Sequence, residues 1–333
     1  TEPLFKKYHS YSETMYALAP NDFNSIMELS YSHNSLGSLY LKQFNYTAAK
    51  QRFTESLALK NKALELKPNN KNLLRDKADT LSWLASTEEN LGNFNAALSM
   101  YESASNELNN MLFNYPSDAS LFKNIANIYI QQSYLLSYLP NKQDAYEKAQ
   151  QATGIIDKAR LQDPKSKYFQ RAYYRFLAHQ LVLSPNKNVD KRITNIIKFL
   201  KVQGFKNSFA INTQISLIHY FINRELRPKA EKLLAELENS EDYKQHIANQ
   251  IQTRNNIILT RVNLIKAKLA FNNEKLSEFC SSAVEAITPK AKTSLSIQIN
   301  YPLVQAYTCL NRVNEIPKIK ARLVKLGINN FQL

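Results

Sequence analysis

The chain has 333 residues, 44% of them hydrophobic, with 43 Lys and Arg against 28 Asp and Glu for a formal net charge of +15 at pH 7. No run of about 18 apolar residues occurs, so no segment of this sequence is suited to cross a membrane as a helix. Only five Gly are present, and no stretch alternates apolar and polar residues at the period of a strand, which leaves an all-α reading.

From the N-terminus, the first half is punctuated by Pro20, Pro68, Pro116 and Pro164, which follow one another at a constant interval. Two positions beyond each comes Asp22, Asn70, Asp118 or Ser166, side chains able to accept from the free amides that open a helix. Each proline is therefore predicted to end one helix just before the next is capped. Midway lie Asn45, Asn93 and Asn141, at the same interval, where a second turn is expected. The unit is two helices and two turns, and its recurrence marks an internal repeat. One helical turn past each Asn stands Ala49, Ala97 or Ala145, followed after another turn by Phe53, Tyr101 or Ala149. The small residue lets helices approach, and the aromatic one a turn later fills the space beyond.

The stretch "NSLGSLYLKQFNYTAAKQRFTESLALKNKALELKP", Asn34 to Pro68, resembles a tetratricopeptide repeat: Leu36-Gly37, Tyr40, Ala49, Phe53 and Pro68 follow that family's order. The second unit keeps Leu84-Ala85, Ala97, Tyr101 and Pro116, but has Glu88 where the family prefers an aromatic. The family repeat is about 34 residues long. The interval from Pro20 to Pro68 is longer, by about two turns in each helix. In the same register Thr1 matches Ala49 and Phe5 matches Phe53, so the chain opens at the second helix of a repeat. That opening is expected of a fragment of a longer or processed protein; the alternative is an unpaired capping helix.

After Pro164 the spacing loosens. A helix pair is predicted over about 166 to 204, turned at Ser184-Pro185-Asn186 and ended by Gly204, and another over about 208 to 239, in which Pro228 opens "PKAEKLLAELE". Ser240 caps one long helix to about Phe271; Glu274 to Ile287 follows, and a last pair spans about 291 to 326, stopped by Gly327. Pro140, Pro185, Pro228 and Pro289 are placed at turns or first turns, whereas Pro302 and Pro317 fall where helices are otherwise drawn. Cys280 and Cys309 lie in successive helices, and are read as two buried thiols in preference to a disulfide.

The expected architecture is thus one continuous solenoid of about 15 antiparallel helices, regular over 1 to 164 and irregular over 165 to 333. The resemblance implies a right-handed α-α superhelix.

Charge is divided unevenly: residues 1 to 150 hold 14 Lys and Arg against 15 Asp and Glu, a net of −1, and 151 to 333 hold 29 against 13, a net of +16. A positive field of this kind attracts acidic proteins, nucleic acid or anionic lipid alike. In "KSKYFQRAYYRFLAHQ", residues 165 to 180, Lys167, Arg171 and Arg175 recur every fourth position with His179 next, interleaved by Tyr168, Phe169, Tyr173, Tyr174 and Phe176. Such a stripe suits carboxylates, phosphates or single-stranded bases; it is also what a solvated face opposite an aromatic packing face looks like.

Catalytic and metal signatures are not found. No histidine pairs with another at i+4 and none sits in an HExxH setting. There is no glycine-rich phosphate loop and no Gly-x-Ser-x-Gly turn, and Glu88-Glu89 and Glu241-Asp242, as helix neighbours, point apart. The sequence therefore reads as non-enzymatic, with no cofactor and no metal.

The resemblance implies a peptide-binding groove lined by the first helix of each repeat: Asn34 and Ser38, Ser82 and Ser86, Ile130 and Tyr134, then Ala178 and Arg175. Family members that clamp a terminal carboxylate use a Lys, Asn and Arg set; Arg175 supplies one cation, but Asn34 lacks the neighbouring Lys. The stretches "LLRDKADTLSWLASTEENLGNFNAALSMY" and "LVKLGINNFQL" are similar to repeat regions of bacterial membrane-anchored regulators of the winged-helix or Ser/Thr kinase type. That likeness implies a sensory or assembly module in the periplasm, with the DNA-binding or kinase domain elsewhere. The expectation is a scaffold that binds a protein or peptide, an acidic one included, through Ile130, Tyr134, Lys167, Arg171, Arg175 and His179; the alternative is a nucleic-acid-binding helical repeat using the basic half.

Overall fold

The computed structural model describes residues 2–185, 190–252 and 256–333. Thr1 and Asn186, which enter the sequence reading, lie outside them. Among the described residues there are 16 α-helices, one turn of 3-10 helix at Val313–Glu315, and no strand. Neighbouring helices pack mostly as antiparallel pairs, and the chain divides into two compact units.

The first unit comprises Thr1–Ile128 and Thr293–Ser296. It holds α1 (Glu2–Leu18), α2 (Phe23–Lys42), α3 (Tyr46–Leu66), α4 (Lys71–Asn90), α5 (Phe94–Asn114) and the start of α6 (Ala119–Leu136). The predicted caps form. Asp22 accepts from the Ser25 amide at 2.8 Å, Asn70 from Leu73 at 3.1 Å, and Asp118 from Ser120 at 2.9 Å. Asn45 caps α3 through the Ala48 amide, whereas Asn93 opens α5 without a side-chain cap and donates to Glu88 instead. The residue before each Asn takes a left-handed conformation, Phe44 at φ 61° and Gly92 at φ 82°; glycine adopts it freely and phenylalanine at a cost.

Ala49 and Ala97 are fully buried, as is Phe53, and Tyr101 is nearly so. Phe53 packs with Leu84 and the half-buried Tyr40 and Met100. The adjacent carboxylates do diverge: Glu88 pairs with Lys50, and Glu89 accepts from Ser296. His9 of α1 and His33 of α2 meet edge to face, with ring centroids 4.6 Å apart. Arg52, Glu13 and Glu55 surround them, and burial before any of these charges holds both imidazoles below their ordinary range.

The second unit comprises Tyr129–Lys292 and Ile297–Leu333. After the end of α6 it contains α7 (Gln143–Gln162), α8 (Lys167–Leu183), α9 (Asp190–Gln203), α10 (Ser208–Asn223), α11 (Arg227–Glu238), α12 (Glu241–Gln252), α13 (Ile257–Lys268), α14 (Asn273–Ala291), α15 (Ile297–Cys309) and α16 (Pro317–Lys325). Its main core joins α8, α9, α10, α11 and α13 through residues such as Leu181, Ile196, Ile215, Leu234 and Ile265. Ala145 and Ala149 are fully buried here, continuing the register of Ala49 and Ala97.

Four expectations are corrected in this unit. The single long helix from Ser240 to Phe271 is two helices, α12 and α13, with Asn256 at the N-cap of the second; this accounts for the sixteenth helix. Lys142, not Asn141, stands at the N-cap of α7, although Asn141 still accepts from the Gln143 amide at 3.0 Å. Pro289 lies inside the last turn of α14. Cys280 and Cys309 form a disulfide across the α14–α15 pair, because antiparallel neighbours bring their Cα atoms to 6.3 Å, within bridging reach. Pro317 starts α16, and Pro302 sits within α15.

Candidate functional site

On α8 the expected cationic stripe is not uniformly solvated. Lys167 is exposed, but Arg171 is half-buried and donates to Gln203 at 3.2 Å. Arg175 lies between the rings of Phe176 and Phe209, 4.9 and 4.7 Å from their centroids, and its Nε has no hydrogen-bond partner among the described residues. The interleaved aromatics pack outward from α8: Tyr174 stacks on Phe199 at 4.2 Å, Tyr168 meets Phe209 at 6.1 Å, and Tyr173 receives Arg160 at 4.6 Å. Ile130 is fully buried and serves the core. Tyr134 is half-buried and rests edge to face against His179 at 4.4 Å.

His179 leads to the most developed site in the second unit. Ser133 donates its hydroxyl proton to the Ala145 carbonyl at 2.7 Å, so its oxygen accepts from His179 Nε2 at 2.9 Å. This arrangement places a proton on Nε2. Burial, followed by the nearby guanidiniums of Arg261 and Arg175, pushes His179 down to about 3.

The far side of the ring borders a cavity of about 680 Å³, a size typical of small-ligand sites. Four helices supply its wall: His179 from α8, His219 from α10, Arg261 and Lys268 from α13, and Tyr301 from α15, with Lys142 at the exposed rim. Residues Gly327 to Asn330 complete it. Gly327, at φ 81°, turns the chain out of α16, and Tyr301 Oη then donates to the Asn330 carbonyl at 3.2 Å. Tyr138 packs on Tyr301 with centroids 5.2 Å apart.

The electrostatics are one-sided. No Asp or Glu side chain among the described residues lines the cavity. Among the same residues, none of Lys142, Arg261 and Lys268 forms an ion pair with a carboxylate; Arg261 donates to the Asn212 side-chain oxygen at 2.8 Å. Burial and then the like charge of Lys142 hold the Lys268 ammonium below its usual range. His219 is pushed down to about 3 by burial, then by Arg261 and Lys268. No family model matches the chain and no curated protein matches it.

Other hollows offer less. One of about 750 Å³ beside Tyr220 and Phe221 is lined by Glu225 as well as Arg224 and Lys229, so it has no comparable excess of one charge. One of about 410 Å³ in the first unit is bordered by Asn34, Ser38 and Lys42. Among the described residues no three His, Cys, Asp or Glu groups converge as metal ligands, and no helix is long and apolar enough to cross a membrane.

Of the six residues singled out from sequence, only His179 reaches the cavity wall. The sequence reading passes over Arg261, Lys268, His219 and Tyr301. A signal for them exists: His179, His219, Arg261 and Tyr301 recur at nearly even steps, shorter than the proline interval of the first half. That shortened register places them on α8, α10, α13 and α15.

Proposed function

We propose that the chain is a non-enzymatic scaffold of the tetratricopeptide type that binds a protein or peptide segment, acidic in character, as a sensory or assembly module of a larger bacterial regulator. The observation that carries this reading is the graded burial of the positions the repeat family turns toward its groove. Asn34, Ser38, Ser82 and Ser86 in the first unit, and Tyr134 and Arg175 in the second, retain contact with solvent, whereas Ile130 and Ala178, assigned to the same groove, are fully buried like the alanines of the helix contacts. Side chains held by a rigid helix pair yet still reached by solvent are what a peptide needs from a preformed surface.

The division of charge supports an acidic partner for the second unit. The Cys280–Cys309 disulfide supports an oxidising compartment such as the periplasm.

A fluorescein-labelled acidic peptide, titrated with the protein and followed by anisotropy, tests this reading. The charge-reversed variant Lys167→Glu/Arg171→Glu/Arg175→Glu should bind it more weakly while retaining its helical circular dichroism, and rising salt should reproduce part of the loss. Equal binding by wild type and variant without salt dependence would remove α8 as the docking face. Preference for single-stranded DNA over the peptide, with steep salt dependence, would replace the protein-binding reading with a nucleic-acid one.

A further inference from the structure

We propose that the cavity between His179, His219, Arg261, Lys268 and Tyr301 is a binding site for a small organic anion carrying two or more negative charges. This goes beyond peptide capture on α8 and does not depend on it.

Three cations, one of them at the rim, face a space of about 680 Å³ that no acidic side chain among the described residues lines. Bringing Lys142 and Lys268 to one cavity without a counter-charge is unfavourable, since like charges repel and the partial burial of Lys268 weakens its hydration. A bound dianion would reverse both effects. Arg261 presents a planar fork suited to a carboxylate or phosphate, and its link to Asn212 orients it. Lys268 and Lys142 supply further charge without fixing geometry. Neutral His219 can donate one hydrogen bond, and the Tyr138 and Tyr301 rings, inclined to one another, offer an apolar corner to the body of the ligand. The volume suits a compact molecule rather than a chain passing through. Two anionic chemistries fit, the polycarboxylate and the phosphate ester.

Calorimetric titration of the full chain at low salt with citrate and, separately, fructose 1,6-bisphosphate distinguishes them, with glycerol as the uncharged control. Saturable binding of either anion at one site per chain, accompanied by a rise in melting temperature, is expected. Arg261→Gln and Lys268→Gln should each weaken it about tenfold or more, the equivalent of one charge-assisted hydrogen bond. If Arg261→Gln loses helical signal, the double variant Lys142→Gln/Lys268→Gln carries the test, since Lys142 is exposed and Lys268 only half-buried.

Absence of saturable binding by both anions would overturn the proposal, as would binding unchanged in the folded variants. Anion binding that survives Arg261→Gln but is lost on reversing Lys167, Arg171 and Arg175 would place the anion on α8 and overturn it equally. Loss of acidic-peptide binding in the α8 variant with citrate binding intact would leave this site standing.

Discussion

Gly37 of α2 lies directly beneath the ring of Phe53 on α3: a Cβ placed on Gly37 would come within 2.7 Å of Phe53 Cε1. The Leu36-Gly37 pair and Phe53 are therefore one packing device, in which the missing side chain makes room for the ring. Gly37→Ala gains about 1 kcal/mol of helix propensity, but the ring is fully buried and must shift, at about 1–3 kcal/mol. A net loss of stability is expected in urea unfolding. Phe53→Ala should cost about 3–5 kcal/mol, with effects concentrated in adjoining helices. A loss under about 1 kcal/mol for Phe53→Ala would show that the ring is not a core element.

The Cys280–Cys309 bridge closes a loop over a sequence separation of 29. On the chain-entropy account, a loop of that size stabilises by about 3–4 kcal/mol. Denatured, unreduced protein should give no reaction with a thiol reagent, and Cys280→Ser/Cys309→Ser should lower the unfolding free energy by about that amount. Two reactive thiols per chain in protein made under oxidising conditions would contradict the bridge.

Acid should destabilise the second unit earlier than carboxylate protonation alone would. His179 titrates near 6.5 when unfolded and is pushed down to about 3 when folded. Between those values the unfolded chain binds the extra proton. The contribution is fully present above about pH 6.5 and is lost as pH falls toward the folded value, at up to about 1.4 kcal/mol per pH unit. The groups facing His179 are Ser133, Tyr134, Arg175 and Arg261, none of which carries the negative charge that would offset a buried imidazolium. His219 acts in the same direction, more weakly, because it retains solvent at the cavity wall. Unfolding curves of wild type and His179→Gln should converge between about pH 6.5 and 4. Parallel curves across that range would mean that His179 is not buried as described.

Much of the helical order is legible in the sequence because its determinants are local. Asp22, Asn70, Asp118 and Ser166 accept from amides two or three positions away, and Ala49, Ala97 and Ala145 are read at a fixed interval. The cavity is harder to read, since its cations come from a rim position, Lys142, and from α13, and counting charge over a whole half cannot say which lysines and arginines lack a partner. Ile130 is a poor candidate for a related reason: the register identifies a groove position, while apolarity and tertiary packing place the side chain in the core. On α8, spacing alone shows a charged stripe, yet Phe209, carried by α10, receives Arg175. The α12–α13 break carries neither Gly nor Pro, and its one described signal, Asn256, is a weaker boundary mark that the sequence reading passes over.

Glu88 is almost fully buried, with Lys50 Nζ at 2.7 Å and Asn93 donating at 2.6 Å. An ion pair and an amide stand at the position where the tetratricopeptide resemblance leads one to expect a ring. Removing a partner from a fully buried pair costs about 3–5 kcal/mol, but Lys50 keeps 44% of its side chain exposed, and water can take up part of its role. Lys50→Met should therefore cost less, about 1–3 kcal/mol, by leaving the Glu88 carboxylate with an amide donor in place of a countercharge. Replacing both residues, Lys50→Met/Glu88→Leu, removes the desolvated charge as well and should recover most of that loss. The coupling read from the double-mutant cycle should be favourable to the native pair and exceed about 0.5 kcal/mol. Additive losses in urea unfolding would show that Lys50 and Glu88 stabilise the fold independently, and that the position does not use an ion pair in place of the ring.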